Sequence, residues 1–574
     1  MLNIMLNGMS ILNTYKEGVV VFFIAIFGLG FFIIKHITND EMDPVIKLLA
    51  GFSVGSIALC VISYIIILLA HFWPFLLQPG SFVVLFFAIF PLLKGIWSGE
   101  LKPFYDIRLI VAGLFLFLLL IARLSFLKHI ILPSYSDSPI HYQIVFGFLH
   151  PSASNTANLS LENIFYNYYH FGFHSLVAWL ASITEIMPTD AISLIGQIFL
   201  VIAPISVLFL TYVITKNRDG ALFAGLLTAT GWLMPAFAVN WGKLPALSSL
   251  ATMPAALAFL GLYLHGNAKK TIALIFGLAL LVGITLLHTR IIICVSLAVI
   301  SIFLSNKIQT ADELGFSQSI RLSLLYILSL WPLSQLIIDF YSGIPVIVVW
   351  LILLPFAFQS YPKLSVGIFF YTFGLWLITL APTLLVENSR TLLDRQFLEI
   401  MLYIPFSIMG GAGFIGIMKK LPPAGIIRWL AVIMLTGGVI FTFLQGNSLY
   451  PDPCCVYFKE GDRLAFQWIQ KNASEHTLVL ISTFDANGQI IGTDAGIWIY
   501  PLIGKNTNKL PFNTNWDSLE EIEKICLFDS KEIYIYVGDR EYSFKNSQLA
   551  SGEWTKSVFS AGQTVIYKLT GCSK

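Results

Sequence analysis

Ile107-Arg-Leu-Ile-Val-Ala-Gly-Leu-Phe-Leu-Phe-Leu-Leu-Leu-Ile-Ala-Arg-Leu-Ser-Phe-Leu127 is followed, after four residues, by Leu132-Pro-Ser-Tyr-Ser-Asp137-Ser-Pro-Ile-His141-Tyr-Gln143. The first stretch is long and apolar enough to cross a bilayer, which needs about 20 such residues. The second is a polar interruption. Asp137 precedes His141 by four residues, a spacing that brings both side chains to one face of a helical turn. Pro133 and Pro139 punctuate the segment, so the turn is expected to begin just after a break in the chain. A carboxylate beside an imidazole at a membrane edge points to chemistry, not lipid contact.

Working outward, further apolar runs fall near residues 18–35, 45–70 and 80–97 before this point. After it they fall near 191–214, 220–239, 245–264, 271–287, 291–305, 322–338, 344–359, 364–386, 397–418 and 426–445. This predicts about 14 spans. Composition agrees: the 574 residues are 57% hydrophobic and only 11% charged, with a mean hydropathy of +0.79. The net charge of +2 comes from nearly balanced acids and bases. Nucleic acid, which needs a concentrated basic surface, is not an expected partner. The first run follows Lys16 and Glu17 without a basic leader or a small-residue cleavage site, so it reads as an uncleaved span.

Orientation follows from the basic loops. If residues 161–187, Tyr- and His-rich at the start and amphipathic afterwards, lie along the interface, then Lys94, Lys102, Arg108, Lys216, Arg218, Lys269, Lys270, Lys307, Arg321, Lys363, Lys419, Lys420 and Arg428 all fall inside. The N-terminus and the C-terminal part then face out. The outer face collects Asp137, His141, Lys243, His288, Arg290, Asp339, Glu387, Arg390, Asp394 and Arg395. From about residue 445 the composition turns polar. Helices are expected over 462–472 and 519–526, and strands over 478–482, 532–537 and 564–569, giving a small α/β domain. The expected organisation is N-terminal spans (1–127), an outer loop with interfacial helices (128–190), a membrane core of about ten spans (191–445) and an extracytoplasmic α/β domain (446–574).

With those residues in view, the layout resembles the GT-C class of membrane glycosyltransferases. Ser136-Asp137-Ser-Pro-Ile-His141 resembles that class's outer-loop acid. Tyr168-Tyr-His170-Phe-Gly-Phe-His174-Ser-Leu-Val-Ala-Trp179 resembles its interfacial helix, and Leu464-Ala-Phe-Gln-Trp-Ile-Gln-Lys-Asn472 with Asp494-Ala-Gly-Ile-Trp-Ile-Tyr-Pro501 resembles the outward domain of bacterial members. The likeness runs from the fourth span onward; the three spans before it depart from the simplest members. The resemblance implies a polytopic α-helical protein of the cell (inner) membrane. It would transfer sugar from a polyprenyl-phosphate-linked donor to an extracytoplasmic glycan, lipid or protein acceptor.

Such a reaction needs a base for the acceptor hydroxyl and cations for the phosphate leaving group. Asp137, with His141, is the catalytic candidate. Lys243, Arg290, Arg390 and Arg395 are the phosphate-binding candidates, and His170, His174, His288, Glu387 and Asp394 are further cavity candidates. His170 and His174 have the spacing of a metal pair without the Glu of a hydrolase motif; the pattern assigns no cofactor, and leaves open a divalent cation assisted by Asp137. Structural alternatives stand beside each: Asp137 as a helix cap, His141 bonded to it, the arginines as membrane-edge anchors, Asp494 as a turn acid. At the level of the whole chain the alternatives are a multi-span transporter, for which no duplicated halves are evident, or a non-catalytic envelope assembly protein. Cys60 and Cys294 read as buried small hydrophobes. In the polar tail, Cys454 or Cys455 is expected to pair with Cys526 or Cys572.

The orientation carries a test. Single cysteines placed at positions 137 and 574 of the chain should react with a membrane-impermeant reagent on intact cells, and those at 216 and 270 should not; an inaccessible 137 with an accessible 270 overturns it.

Overall fold

The computed structural model describes residues 1–38, 42–99, 106–150, 170–264, 270–308, 311–380, 391–423, 425–445, 448–486, 489–528, 530–570 and 572. Lys102, Tyr168, Tyr169, Lys269, Glu387, Arg390 and Lys574 lie outside them. The chain divides into two compact units. The first comprises Met1–Phe126, Val145–Val239 and Lys243–Tyr450; the second comprises Leu127–Ile144, Asn240–Gly242 and Pro451–Lys574.

The first unit is helical. Among the described residues nine helices are long and apolar enough to cross a membrane: Lys16–Ile37, Pro44–Phe72, Pro74–Trp97, Ile107–His129, Pro188–Thr215, Leu244–Tyr263, Pro362–Thr379, Arg395–Lys420 and Ile426–Leu444. A tenth is possible if Phe316–Ser329 and Trp331–Tyr341, bent by 45°, form one span. This is the composition of a multi-pass membrane protein. Small residues let backbones approach: a Cβ on Gly30 would overlap the Gly51 carbonyl, and one on Gly55 the Ile26 carbonyl. Lys16–Ile37 and Pro44–Phe72 therefore pack backbone to backbone, with Phe27 stacked on Phe52 at 4.7 Å. Asp43 starts the second of these by accepting from the Val45 and Ile46 amides, ahead of Pro44 in the first turn.

The expected fourteen spans are not reached by length. Thr271–Leu287, Ile291–Lys307 and Val346–Ser360 are apolar but shorter than 18 residues. Residues 220–239 are not one span: Arg218–Leu226 gives way to a π turn, Leu227–Gly231, and then to a 3-10 turn, Ala236–Val239. Pro235 has no N–H for the Gly231 carbonyl, and the Leu233 amide turns to the Phe340 carbonyl instead. The expected amphipathic helix within 161–187 is also corrected. Gly172–Thr184 is buried on all faces from Gly172 to Ala181, because Gly172 lies against the Leu286 backbone, where a Cβ would stand 2.7 Å from its carbonyl carbon. Its polar groups are satisfied locally, Ser175 donating to the Phe171 carbonyl (2.9 Å).

The second unit is an α/β sandwich. Strands β1 (Thr477–Ala486), β2 (Gln489–Gly492), β3 (Asn506–Pro511), β4 (Glu532–Val537), β5 (Thr555–Ala561) and β6 (Thr564–Leu569) run in the order β2-β1-β4-β6-β5, with β3 also on β1. β1 is parallel to β3 and β4; β4–β6 and β6–β5 are antiparallel. The alternation of β4 explains its layers. Tyr534 and Tyr536 join Phe466, Ile469 and Trp498 on one face. Ile533, Ile535 and Val537 join Trp516, Ile522 and Phe544 on the other. Helices Glu460–Asn472 and Leu519–Cys526 fall where the sequence predicts them. Leu132 and Tyr142, from the distant Asp137 segment, pack against the first of these cores.

The expected cysteine pairing is overturned. Cys454 is bonded to Cys455, and Cys526 to Cys572. Cys526 ends its helix and Cys572 follows β6, with both against the second core, whereas the Asp452 turn, in which its carboxylate takes the Cys454 amide and its carbonyl the Cys455 amide, holds the adjacent pair together. Unfolded, unreduced protein should titrate two thiols, Cys60 and Cys294. Cys572→Ser opens a crosslink spanning 46 residues and should cost about 4 kcal/mol in the denaturant unfolding of this unit.

Candidate functional site

In the second unit, Asp137 stands half-buried immediately before helix Ser138–Leu149. Its carbonyl accepts from the Ile140 and His141 amides (3.1 and 3.2 Å), so it occupies the capping position. Three bonds fix the turn beneath it. The Ser138 hydroxyl donates to the Ser134 carbonyl. The Tyr135 amide donates to the Cys455 carbonyl at 2.9 Å, holding Tyr135 at a φ of 70° that side chains rarely adopt. His141, only 3% exposed, donates through Nε2 to the Gly242 carbonyl at 3.1 Å. The imidazole expected to share a face with the acid is thus engaged with the backbone of residue 242.

Around Asp137 the structure assembles groups that no local pattern in the sequence announces. The Tyr135 ring lies 5.8 Å from that of Tyr457, and the Arg540 guanidinium lies 4.0 Å over Tyr457. Arg540 also donates to the Cys454 carbonyl (2.6 Å) and the Val456 carbonyl (3.3 Å). Burial pushes the Tyr457 hydroxyl above its ordinary pKa; Arg540 opposes this, and the charges of Asp494 and Asp137 add to it. Asp137 is therefore within electrostatic reach of a buried phenol. Asp494 is a structural hub, fully buried. It accepts from Ser482 (2.9 Å), Ser543 (2.6 Å), the Gly538 amide (3.1 Å) and the Gly496 amide (2.9 Å). Burial raises its pKa against these four bonds.

The first unit gathers most of the other candidates. His170 lies 4.2 Å from His288 and 6.4 Å from His174, ring centre to ring centre; His288 lies 5.0 Å from Phe397. His174 is fully buried and donates through Nδ1 to the His170 carbonyl (3.2 Å). Arg290, heading helix Ile291–Lys307, is ion-paired with Asp394, and Asp394 in turn caps helix Arg395–Met401 by accepting from the Phe397 amide at 2.7 Å. Arg395 donates to Glu399 at 2.8 Å, one turn on. Both arginines are thus held by carboxylates, Glu399 being a partner not picked out from the sequence. Lys243 opens helix Leu244–Leu264, its carbonyl accepting from the Leu247 amide. Glu387 and Arg390 lie outside the described residues. Among the described residues no group of three or more His, Cys, Asp or Glu side chains is placed to hold a metal ion.

Residues 53–331 match a sequence family described as a family of unknown function (DUF6541). No curated protein matches the chain. Among solved structures the chain is similar to the arabinofuranosyltransferase AftD from Mycobacteria, seen by single-particle cryo-EM, at 10% identity and a TM-score of 0.34. That likeness covers 70% of this chain and 35% of AftD, so the chain spans about a third of the length of that structure.

The division of roles between the two acids of the second unit is testable. Asp494→Asn turns an amide N–H toward groups that already donate and should destabilise the protein by about 1–3 kcal/mol. Asp137→Asn keeps the side-chain shape and the carbonyl that accepts the Ile140 and His141 amides, and should leave thermal unfolding within about 0.5 kcal/mol of wild type.

Proposed function

We propose that this protein is a membrane glycosyltransferase that moves a sugar from a polyprenyl-phosphate donor to an acceptor outside the cytoplasm, with Asp137 as the base. The observation that carries the reading is the setting of Asp137. It is a half-exposed carboxylate on a polar turn fixed by three backbone-directed hydrogen bonds, in a chain otherwise dominated by apolar helices. A cap alone would not require a buried histidine and a left-handed tyrosine to hold it.

In the proposed reaction an acceptor hydroxyl oxygen bonds to the anomeric carbon of the donor while the bond from that carbon to the phosphate oxygen breaks. The hydroxyl proton passes to Asp137, and the bonding pair leaves with the phosphate. His141 acts as a positioning residue, fixing the helix that Asp137 heads. Lys243, Arg290 and Arg395 take the phosphate role, joined by Arg390. The carboxylates of Asp394 and Glu399 keep two of these guanidiniums oriented while leaving other N–H groups for a phosphate, since Arg carries five. The acceptor is a glycan, lipid or protein.

The experiment is sugar transfer from a panel of labelled polyprenyl-phosphate sugars by the intact protein in lipid, with thermal unfolding followed alongside. Asp137→Asn should lower the rate by roughly 100- to 10,000-fold. Arg290→Gln should instead weaken donor use by about 1.5–3 kcal/mol, roughly 10- to 150-fold in kcat/KM. A well-folded Asp137→Asn protein that transfers at the wild-type rate removes the base assignment; absence of transfer from every donor removes the reaction class.

A further inference from the structure

The first unit contains a cavity of about 660 Å³ that belongs to neither residue cluster described above. Its walls come from helices Pro188–Thr215, Leu244–Leu264, Ile291–Lys307, Pro362–Thr379 and Tyr403–Lys420 and are apolar, with Leu257, Ile302, Ile368 and Ile404 among them. Asn306, in the last turn of Ile291–Lys307, stands at its rim, while Arg290 heads the same helix. The two are about 24 Å apart along the helix axis, so the cavity opens at the helix end opposite the Arg290–Asp394 pair.

Ser301, Ser305, Asn306, Ser360 and Tyr361 interrupt the apolar lining, and three further polar side chains define the site. Lys363 and Asp312, both exposed, are an acid and a base on the same rim, and among the described residues neither is joined to another side chain by an ion pair. The third lies deep. Tyr371 is 7% exposed, and among the described residues its hydroxyl has no hydrogen-bond partner. A buried hydroxyl left without an acceptor is costly, which makes a ligand acceptor at that point favourable. Lys363 and Tyr371 lie eight residues apart on one helix, about 12 Å along its axis.

We infer that this cavity binds one diacyl phospholipid with an ethanolamine headgroup. The phosphate meets Lys363 and Asn306, the ammonium meets Asp312, a glycerol ester carbonyl accepts from the Tyr371 hydroxyl, and an acyl chain lies along the apolar walls. A singly anionic headgroup would leave Asp312 facing like charge. A choline headgroup offers Asp312 no N–H to donate. The site is separate from the proposed transfer chemistry and does not depend on it.

The test is native mass spectrometry of the full-length protein, delipidated and then titrated with equal amounts of phosphatidylethanolamine, phosphatidylglycerol and phosphatidylcholine of the same acyl chains. The expected result is one retained phosphatidylethanolamine per chain, in preference to the other two. Tyr371→Phe, which keeps the ring, should weaken retention roughly two- to tenfold. Asp312→Asn should abolish the preference over phosphatidylglycerol, and Lys363→Gln, which removes the cation facing the phosphate, should weaken retention of all three. Equal retention of the three lipids, retention of none, or a Tyr371→Phe protein indistinguishable from wild type overturns the inference. Thermal unfolding of each variant separates loss of the site from loss of the fold.

Discussion

The close approach of the Gly242 backbone to the Asp137 turn is the constraint on which the second unit depends. Gly242 has a φ of 60°, and a Cβ there would stand 2.8 Å from the Ser134 carbonyl oxygen and 2.9 Å from the Ser138 hydroxyl. Only glycine meets both demands without strain. The contact brings the Gly242 carbonyl to His141. Two residues earlier, the Asn240 side chain accepts from the Asp452 amide at 2.7 Å. A loop between membrane helices, the polar turn and the start of the C-terminal domain are thereby tied through three short segments. The Asp137 turn is thus held both by that tie and by the local Ser138–Ser134 bond.

Several elements were legible because their signals are local. Strand β4 reads Glu-Ile-Tyr-Ile-Tyr-Val, and its β-branched and aromatic side chains fill both faces of the sheet. Strands β3, Asn-Thr-Asn-Lys-Leu-Pro, and β5, Thr-Lys-Ser-Val-Phe-Ser-Ala, were not legible, because edge positions ask for little apolar content and tolerate the polar residues they carry. Window hydropathy misread residues 220–239, since it counts apolar residues without weighing Pro235 or Gly231. At the candidate site Asp137 stood out, as a carboxylate in a proline-bounded polar gap. Tyr457 and Arg540 did not, because what relates them to Asp137 is tertiary contact between loops hundreds of residues apart, and no periodicity reports that.

Two arginines at helix starts in the first unit are paired with carboxylates, whereas the buried Arg123 donates to the Ala229 carbonyl and lies over the Phe443 ring. Arg290 with Asp394 and Arg395 with Glu399 neutralise each other where an isolated charge would be expensive to carry toward lipid. Pairing also explains how arginines can remain near apolar helices while still presenting spare donors. The carboxylate of Asp394 does this while capping a helix, so replacing it disturbs a charge pair and a helix start together.

The discontinuous make-up of the second unit has a consequence for how the protein is made. The Tyr135 amide waits for the Cys455 carbonyl, which leaves the ribosome roughly 320 residues later, about 15–60 s at ordinary elongation rates. Through that interval the core against which Leu132 and Tyr142 of the 132–144 segment pack, built from residues after 457, has not yet been made. The helices encoded in between are therefore synthesised before this segment can take its place against that core. A nascent chain arrested short of the C-terminal domain would expose it to proteolysis.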